Sequence, residues 1–531
     1  MKRILIGVSL ALWLITAIIC YFMPDAASFV SLGVTSLILA VTLYDSFQKK
    51  HSLLRNYPLV ARLRWVFEGE RDKIKQYFIE SDLDGTPINR EKRSIIYQRA
   101  KRQIETIPFG TQHDVYQKGY EFVKHALFPL NHHHITGERL TIGNEHCKQP
   151  YSSSILNISA MSFGSLSKAA ITALNQGAKL GDFAHNTGEG GISPYHLQGG
   201  DLIFQVGTGY FGAGKTDENG ERIFDSECFK NNAIRPEVKL IEIKLSQGAK
   251  PGHGGILPAV KLTQEIADIR HVSLGKDVIS PAAHTAFSTP TEMMLFVQKL
   301  RELSGGKPIG FKLCIGKKSE FISVCKAMLS TGIKPDFITI DGSEGGPGAA
   351  PIELTNSVGT PIRDAIIFVN QTLIGMGLRD DIRVIASGKV LSAFHLLKLI
   401  ALGADSVNSA RAMLFSLGCI QSRSCNTDMC PTGIATQNPA RVKALVVEDK
   451  VIRVANYHRQ MMKHLVELLG AAGLQKLSDL KPEHIMHRVQ GTNIQSYESM
   501  FPSIEPGCLL NETDRPNGWY TDWQQASETT W

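Results

Sequence analysis

The chain has 531 residues, of which 43% are hydrophobic and 20% charged, with a formal net charge of +7. That length exceeds one ordinary domain, and the balance is that of a globular enzyme, which excludes a disordered or fibrous chain. Nine cysteines in such a length do not make a disulfide framework, and no basic stripe interleaved with aromatics marks a nucleic-acid surface.

Residues 4–22 are almost wholly apolar, enough to cross about 30 Å of hydrocarbon as a helix. Pro24 and Asp25 interrupt the run, and a second apolar stretch covers 29–44. Lys2 and Arg3 precede the first run, while Lys49, Lys50 and Arg55 follow the second, so both charged flanks belong on the cytoplasmic side. No small-residue cleavage site follows Cys20-Tyr21-Phe22, which argues against a removable signal peptide. The expectation is a transmembrane hairpin over 1–50, a multi-pass anchor in the cell membrane with the catalytic part cytoplasmic. Residues 51–150 read as a helical collar, with apolar residues at helical spacing over 55–78 and 91–104. His132, His133 and His134 are adjacent, so their side chains diverge and read as a loop rather than a metal site.

From residue 152 short apolar runs alternate with amphipathic stretches, the pattern of parallel β/α units. Eight strands are expected over 155–161, 182–185, 238–245, 277–280, 309–314, 337–341, 383–387 and 405–409. Helices are expected between most of them, over 168–179, 259–270, 292–303, 321–330 and 393–401. Eight such units predict a closed (β/α)8 TIM barrel over 151–440, with its site at the C-terminal strand ends. Residues 195–236 are too long for a simple loop and read as an insertion at that face. The extension 441–531 is expected to be helical over 444–472 and then irregular, with exposed Trp519, Trp523 and Trp531.

The strongest chemical signal is Cys419-x5-Cys425-x4-Cys430-Pro431. Three thiolates so close can wrap a soft metal centre; zinc would prefer CxxC pairs and four ligands. A three-iron cluster fits, as does a four-iron cluster with one outside ligand. Three unrelated thiols would sit singly in apolar cores, whereas these lie among Ser422, Arg423, Asn426, Thr427 and Asp428. Gly207-Thr208-Gly209-Tyr210-Phe211-Gly212 fits G-x-G-x-x-G, but the turn-like residues 215–220 follow it instead of a helix. It therefore reads as a glycine hairpin within the insertion.

The cysteine spacing, with Leu417-Gly418 before it and Pro431-Thr432-Gly433-Ile434-Ala435-Thr436-Gln437 after it, resembles the FMN-binding synthase domain of glutamate synthase. So do Ser159-Ala160-Met161-Ser162-Phe163-Gly164-Ser165, Asn186-Thr187-Gly188-Glu189-Gly190-Gly191 and Lys244-Leu245-Ser246-Gln247-Gly248-Ala249-Lys250-Pro251-Gly252. Ile279-Ser280-Pro281 and Asp341-Gly342-Ser343-Glu344-Gly345-Gly346 follow in the family's order. The resemblance covers about 152–437, and Phe109-Gly110-Thr111-Gln112 with the hairpin is similar to a short membrane-associated branch. It implies an FMN-linked aldolase-type barrel carrying a [3Fe–4S] cluster on Cys419, Cys425 and Cys430. It also implies a flavin contact at Met161 and a 2-oxoglutarate site at Glu189 and Lys250, the latter pairing a carboxylate.

The residues agree with that assignment. Phosphate belongs at the loops after strands seven and eight, here Ser387-Gly388-Lys389 and Ser409-Ala410-Arg411, with Asp341, Gly342 and Ser343 as a third wall. Lys244 and Lys312, at strand ends, suit the flavin edge that gains negative charge on reduction. Ser159, Ala160, Met161, Ser162, Asn186 and Gln247 complete the expected flavin shell. Two positions depart from the family: Ile256 stands where it has a glutamine touching substrate, and His253 where it has glutamate. Isoleucine cannot supply an amide's hydrogen bonds.

Glutamate synthases make ammonia in an N-terminal glutaminase domain starting at a catalytic cysteine, but this sequence opens Met1-Lys2-Arg3. Neither a C-terminal β-helix nor a Rossmann unit for NADPH is legible either. The expectation is therefore reductive amination of 2-oxoglutarate through its imine, with ammonium from a separate source and electrons from a partner protein. The alternative is a membrane-bound dehydrogenase that oxidises an amino or hydroxy acid and passes electrons through the cluster to a quinone or carrier. A non-catalytic scaffold ranks last, since every cysteine and phosphate-loop glycine is in place.

Overall fold

The computed structural model describes residues 1–531 except 104–105, 132, 134, 136–138 and 219. The chain divides into two compact units, Met1–Arg90 and Glu91–Trp531.

In the first unit α1 (Lys2–Phe22) and α2 (Ala26–Phe47) are long, apolar and only slightly buried, long enough to cross a membrane. Asp25 caps α2 by accepting from the Ser28 amide at 2.7 Å. Polar side chains pair the two helices: Trp13 Nε1 donates to Ser36 Oγ at 2.9 Å, and Thr16 meets Thr35 at 2.7 Å. Helix Arg62–Ile74 follows and widens into a π turn, Lys75–Ile79.

The second unit is built on a closed, all-parallel, eight-stranded barrel. Its strands are β1 (Leu156–Ile158), β2 (His185–Asn186), β3 (Leu202–Val206), β4 (Val238–Lys244), β5 (Ile309–Leu313), β6 (Phe337–Asp341), β7 (Arg383–Ser387) and β8 (Ser406–Ser409). The fold class expected from sequence is therefore correct, but one strand assignment is not. Residues 277–280 do not enter the barrel: Val278–Ile279 pairs antiparallel with Ile256–Leu257. The missing strand is β3, which opens the stretch read as an insertion; it lies between β2 and β4 and is buried throughout. The glycine motif follows β3 as turns, leading to the hairpin Gly214–Thr216/Arg222–Phe224, as expected of a non-Rossmann segment. Asn219 is outside the described residues.

Helices Lys168–Gly181, Pro290–Leu303, Lys318–Thr331 and Ala393–Ala401 match the expected stretches, and Ile362–Gly375 between β6 and β7 is an addition. The expected helix over 259–270 splits into a short turn, Ala259–Lys261, and Gln264–Arg270. At the N-terminal mouth a hairpin, Arg139–Ile142/Tyr151–Ser154, plugs the barrel. Ile142 and Tyr151 pack there against Ala184, Ile203, Leu240, Phe337 and Ile385. Helix Val447–Ala471 lies on Lys168–Gly181, so closely that a Cβ at Gly177 would sit 2.6 Å from Val454 Cγ1.

Before the barrel, helix Arg90–Lys101 ends the helical part of the expected collar, and strand Glu121–Val123 joins Ile485–Gln490 instead. Ile104, His132 and His134 lie outside the described residues. Trp519 and Trp523 are not free surface residues. Trp519 stacks on Phe368 at 5.3 Å, and Trp523 lies under Lys326 at 4.4 Å and Arg515 at 4.2 Å, because short helix Tyr520–Gln525 docks on the barrel helices.

Candidate active site

Parallel pairing sets Lys244 of β4 beside Lys312 of β5 at the C-terminal mouth. Both are buried, and a buried lysine needs compensation. Lys244 Nζ lies 2.8 Å from Glu189 Oε1 and donates to Gln247 Oε1 at 2.6 Å. Glu189 follows β2 and is wedged between two glycines. A Cβ at Gly207 would lie 2.7 Å from its Cβ, and one at Gly255 would lie 2.2 Å from its Oε1. Any side chain at either position would push the carboxylate away from Lys244.

Two more cations close on the same carboxylate. Lys250 is only 2% exposed, and among the described residues nothing hydrogen-bonds its Nζ. Burial lowers its pKa to about 8, against the pull of Glu189 and with Lys244 adding repulsion. Arg270, at the end of helix Gln264–Arg270, donates to Phe163 O at 2.9 Å and Ser162 Oγ at 3.4 Å, and packs over the Phe211 ring. Its Nε is buried without a partner among the described residues, and burial lowers its pKa to about 10, with Glu189 opposing. Burial pushes the Glu189 carboxyl up, but Lys244, then Lys250 and Arg270, outweigh it and hold the group below the usual carboxylate range. Three cations around one carboxylate leave positive charge that an acidic ligand can neutralise.

Beneath this cluster lies a satisfied polar layer. Buried Glu242 accepts from Asn186 Nδ2 at 2.9 Å, Gln205 Nε2 at 2.6 Å and Thr339 Oγ1 at 2.7 Å. Asn186 is thus occupied as a support for the barrel interior, while its Oδ1 accepts from the Gly188 amide at 3.0 Å and shapes the Glu189 turn. Met161, buried, receives at its carbonyl a contact from His196 Nε2 at 3.3 Å, and its amide donates to Asn186 O at 3.2 Å. Ser159, Ala160, Met161 and Ser162 therefore line the mouth after β1, next to the turn bearing Glu189.

Across the mouth the β6, β7 and β8 loops are tied together. Asp341 Oδ2 accepts from the Gly248 amide at 2.9 Å, and Gly342 N donates to Ser387 O at 2.8 Å. A Cβ at Gly248 would fall 1.8 Å from Gly342 O, so only glycine permits this approach. Ser343 N donates to Thr360 O at 3.1 Å. Ser159 and Ser387 hydroxyls are 3.3 Å apart, and Ser409 Oγ donates to Val390 O at 2.8 Å. After Gly388, Lys389 holds a left-handed φ of +42°; after Ala410, Arg411 buries an Nη1 with no partner among the described residues. Burial depresses both pKa values, and Arg411 repels Lys389. Two cations on adjoining strand-end loops, one with an unused buried donor, form a cradle for an anion.

Arg411 also faces the cysteine loop, where Cys419 and Cys425 raise its pKa. Burial pushes Cys419 up to about 12 and also raises Cys425, with Cys430 the next cause. Cys430 moves the other way: burial raises it, but the Thr432 hydroxyl and the amides of Ala435, Thr432 and Ile434 pull it below its ordinary value. Among the described residues no three His, Cys, Asp or Glu side chains converge on a single ion. Gln421, Arg423 and Asp428 all have φ near +60°, a concentration of left-handed backbone between the first and last cysteines.

Sequence reading missed Arg270 and Lys261. Lys261 is buried and donates to Ser165 O and, at 3.3 Å, to Cys425 O, tying the cysteine loop to the mouth after β1. A basic residue at a helix end is commonplace in sequence, so only burial exposes either one. Of the two departures, His253 Nδ1 is 2.9 Å from Gly254 O, and Ile256 pairs with Ile279 in the small antiparallel ribbon.

Residues 101–475 match the model of the conserved region in glutamate synthase. The glutamate synthase large subunit-like protein YerD of Bacillus subtilis is 38% identical over 497 residues, 86% of this chain and 93% of that protein. The archaeal glutamate synthase (NADPH) of Methanocaldococcus jannaschii is 36% identical over 343 residues, 64% of this chain and 63% of that enzyme. The archaeal-type enzyme of Thermotoga maritima is 34% identical over 350 residues, 65% of this chain and 64% of its own length. The chain thus spans somewhat under two thirds of those two enzymes. The flavin-binding domain of baker's yeast flavocytochrome b2 overlays with a TM-score of 0.41 at 13% identity, covering 80% of this chain and 84% of that one, too loosely to build on.

Proposed function

From the premise that this chain belongs to the glutamate synthase family, we propose that it is an FMN- and iron–sulfur-dependent oxidoreductase that reductively aminates 2-oxoglutarate to glutamate. The carrying observation is the cation excess at the barrel mouth: among the described residues Lys250 has no hydrogen-bond partner and Arg270 an unused Nε, and both act on Glu189. A dicarboxylate supplies what those groups lack. Lys250 and Arg270 bind its carboxylates, and ionised Glu189, fixed by Lys244, accepts from the N–H of the imine.

The residues fit the implied cofactors. Lys389, Gly388, Ser409 and Arg411, with its orphaned Nη1, would hold a phosphate; Lys244 and Lys312 would face an edge that gains negative charge. Ser159, Ala160, Met161, Ser162, Gln247, Asp341, Gly342 and Ser343 would complete that shell, with Asn186 supporting it from below. Cys419, Cys425 and Cys430 would hold a [3Fe–4S] cluster, which spreads its thiolates over separate irons and needs no single convergent point. When bound, the flavin supplies hydride chemistry and the cluster supplies one-electron steps.

Electrons come from a partner protein and ammonium from a separate source in this reading. The hairpin is a multi-pass membrane anchor, its basic flanks cytoplasmic and the chain after it on that side. Segments 51–150, 151–440 and 441–531 serve as collar, catalytic barrel and extension. The test is anaerobic: the dithionite-reduced protein is mixed with 2-oxoglutarate and ammonium. Reoxidation with stoichiometric glutamate is expected; no reoxidation and no glutamate defeats the proposal.

Ile256 favours a second reading, oxidation of an amino or hydroxy acid, because isoleucine cannot give substrate the hydrogen bonds of the glutamine that the family has there. Turnover with an artificial acceptor and none in the reductive direction would select it.

A further inference from the structure

Helix Arg62–Ile74 is three and a half turns long and fully amphipathic. None of its side chains is buried, yet it carries large apolar residues. Leu63, Val66, Phe67 and Ile74 recur at the i, i+3, i+4 spacing of one face, and the stripe continues to Tyr77 and Phe78 in the turn Lys75–Ile79. Phe67 is 61% and Phe78 85% exposed. The far side carries Arg64, Glu68 and Asp72, with Arg64 Nε 3.7 Å from Glu68 Oε2, while Glu70 and Arg71 edge the stripe with charge. An apolar stripe this size does not stay in water without a partner.

Two observations say what covers it. The helix is fixed to the end of the apolar hairpin: buried Asp45, in the last turns of α2, accepts from Arg62 Nε at 2.8 Å, Arg62 Nη2 at 2.6 Å and the Leu59 amide at 3.0 Å. The stripe therefore begins at the level where α2 ends, beside Lys49 and Lys50. Charge supplies the second. Between residues 49 and 79 lysines and arginines outnumber acidic residues eight to three. Aromatic side chains on one face with cations around them match the boundary of an anionic leaflet, where rings sit at headgroup depth and cations meet phosphates.

We propose that Arg62–Ile79 is an interfacial helix that lies on the anionic cytoplasmic leaflet, with Leu63, Val66, Phe67, Ile74, Tyr77 and Phe78 sunk into the headgroup boundary. The inference rests on the membrane reading of the hairpin and goes beyond it. It makes this segment a second membrane contact, lateral where the hairpin is vertical, which limits how freely the chain behind it can swing.

The test uses the full chain in vesicles of phosphatidylethanolamine and phosphatidylglycerol, with the photocrosslinker p-benzoylphenylalanine placed singly. Positions Phe67, Ile74 and Phe78 report the stripe, Glu68 and Asp72 the polar face, and Leu12 and Leu37 the hairpin. Lipid adducts several-fold more abundant from the stripe than from the polar face are expected, falling when phosphatidylcholine replaces phosphatidylglycerol. A silent stripe with lipid-tagged Leu12 and Leu37 overturns the inference and leaves the hairpin standing. Silence at every position overturns both. Protein–protein adducts from the stripe also overturn it, making the face a contact with another copy or another part of the chain.

Discussion

The two ends of the barrel handle buried charge in opposite ways. At the N-terminal end, Asp336 directly precedes β6 and is saturated: it accepts from the Asn144 amide at 2.8 Å, the Ile309 amide at 2.8 Å and Arg301 Nη2 at 3.0 Å. At the C-terminal end, Lys250, Arg270 and Lys244 share Glu189, and among the described residues Lys250 has no hydrogen bond and Arg270 Nε no partner. Burial is comparable, and each end leaves one buried arginine Nε unmet among the described residues, Arg301 below and Arg270 above; the difference is that Asp336 has three donors while Lys250 has no hydrogen bond among the described residues. A buried charge with its partners in place closes the structure, whereas one without them marks where a ligand completes it.

The largest effect should come from the satisfied end. Asp336→Ala strands Arg301 and should cost about 3–5 kcal/mol of stability in urea unfolding. The folded fraction should keep its affinity for acidic ligands; loss of that affinity would break the division of labour. The unsatisfied end should behave in reverse. Lys250→Met should leave stability unchanged or raise it, while kcat/KM for the 2-oxo acid falls by about 10- to 100-fold, the worth of a charged hydrogen bond of about 1.5–3 kcal/mol.

Titration sharpens the contrast. With the Lys250 pKa lowered to about 8, carboxylate affinity should be level below that pH and decline above it as the ammonium loses its proton. Stability moves the other way. The lysine pKa is lower in the folded chain than in the unfolded one, so the unfolded state binds more protons between about 8 and the ordinary 10.5. Stability therefore rises with pH across that window, and Lys250→Met should remove both trends. The smallest effect tests exposure alone: Lys334, two residues before Asp336, pairs with Asp381 and both keep solvent contact, so Asp381→Asn should cost no more than about 1 kcal/mol.

What was legible in the sequence follows from the same physics. Strands β6 and β7 emerge at their expected bounds because buried parallel strands are short apolar runs between turn signals. β3 was lost because Gln205 interrupts its run and six glycine-rich residues follow it; the glutamine is there for Glu242, a partner 37 residues away that no local pattern reveals. Residues 277–280 mimic a barrel strand by composition, yet their partner is the ribbon beside Gly255. The site was legible where chemistry demands unusual residues in strands, as at Lys244 and Lys312. Arg270 and Lys261 were not, since their significance lies in burial against distant loops. The left-handed residues in the cysteine loop were equally silent, because φ is not written in residue type.

The central claim is that this barrel carries a flavin and an iron–sulfur cluster on the residues named, and the most direct test is cofactor content. The full-length chain is purified anaerobically in detergent, its absorption spectrum recorded, and released flavin and iron quantified, in parallel with Cys425→Ser. FMN near one per chain with about three irons, the iron lost in the Cys425→Ser protein while FMN is retained, is the predicted result. A folded, colourless protein without iron would contradict the account at its base.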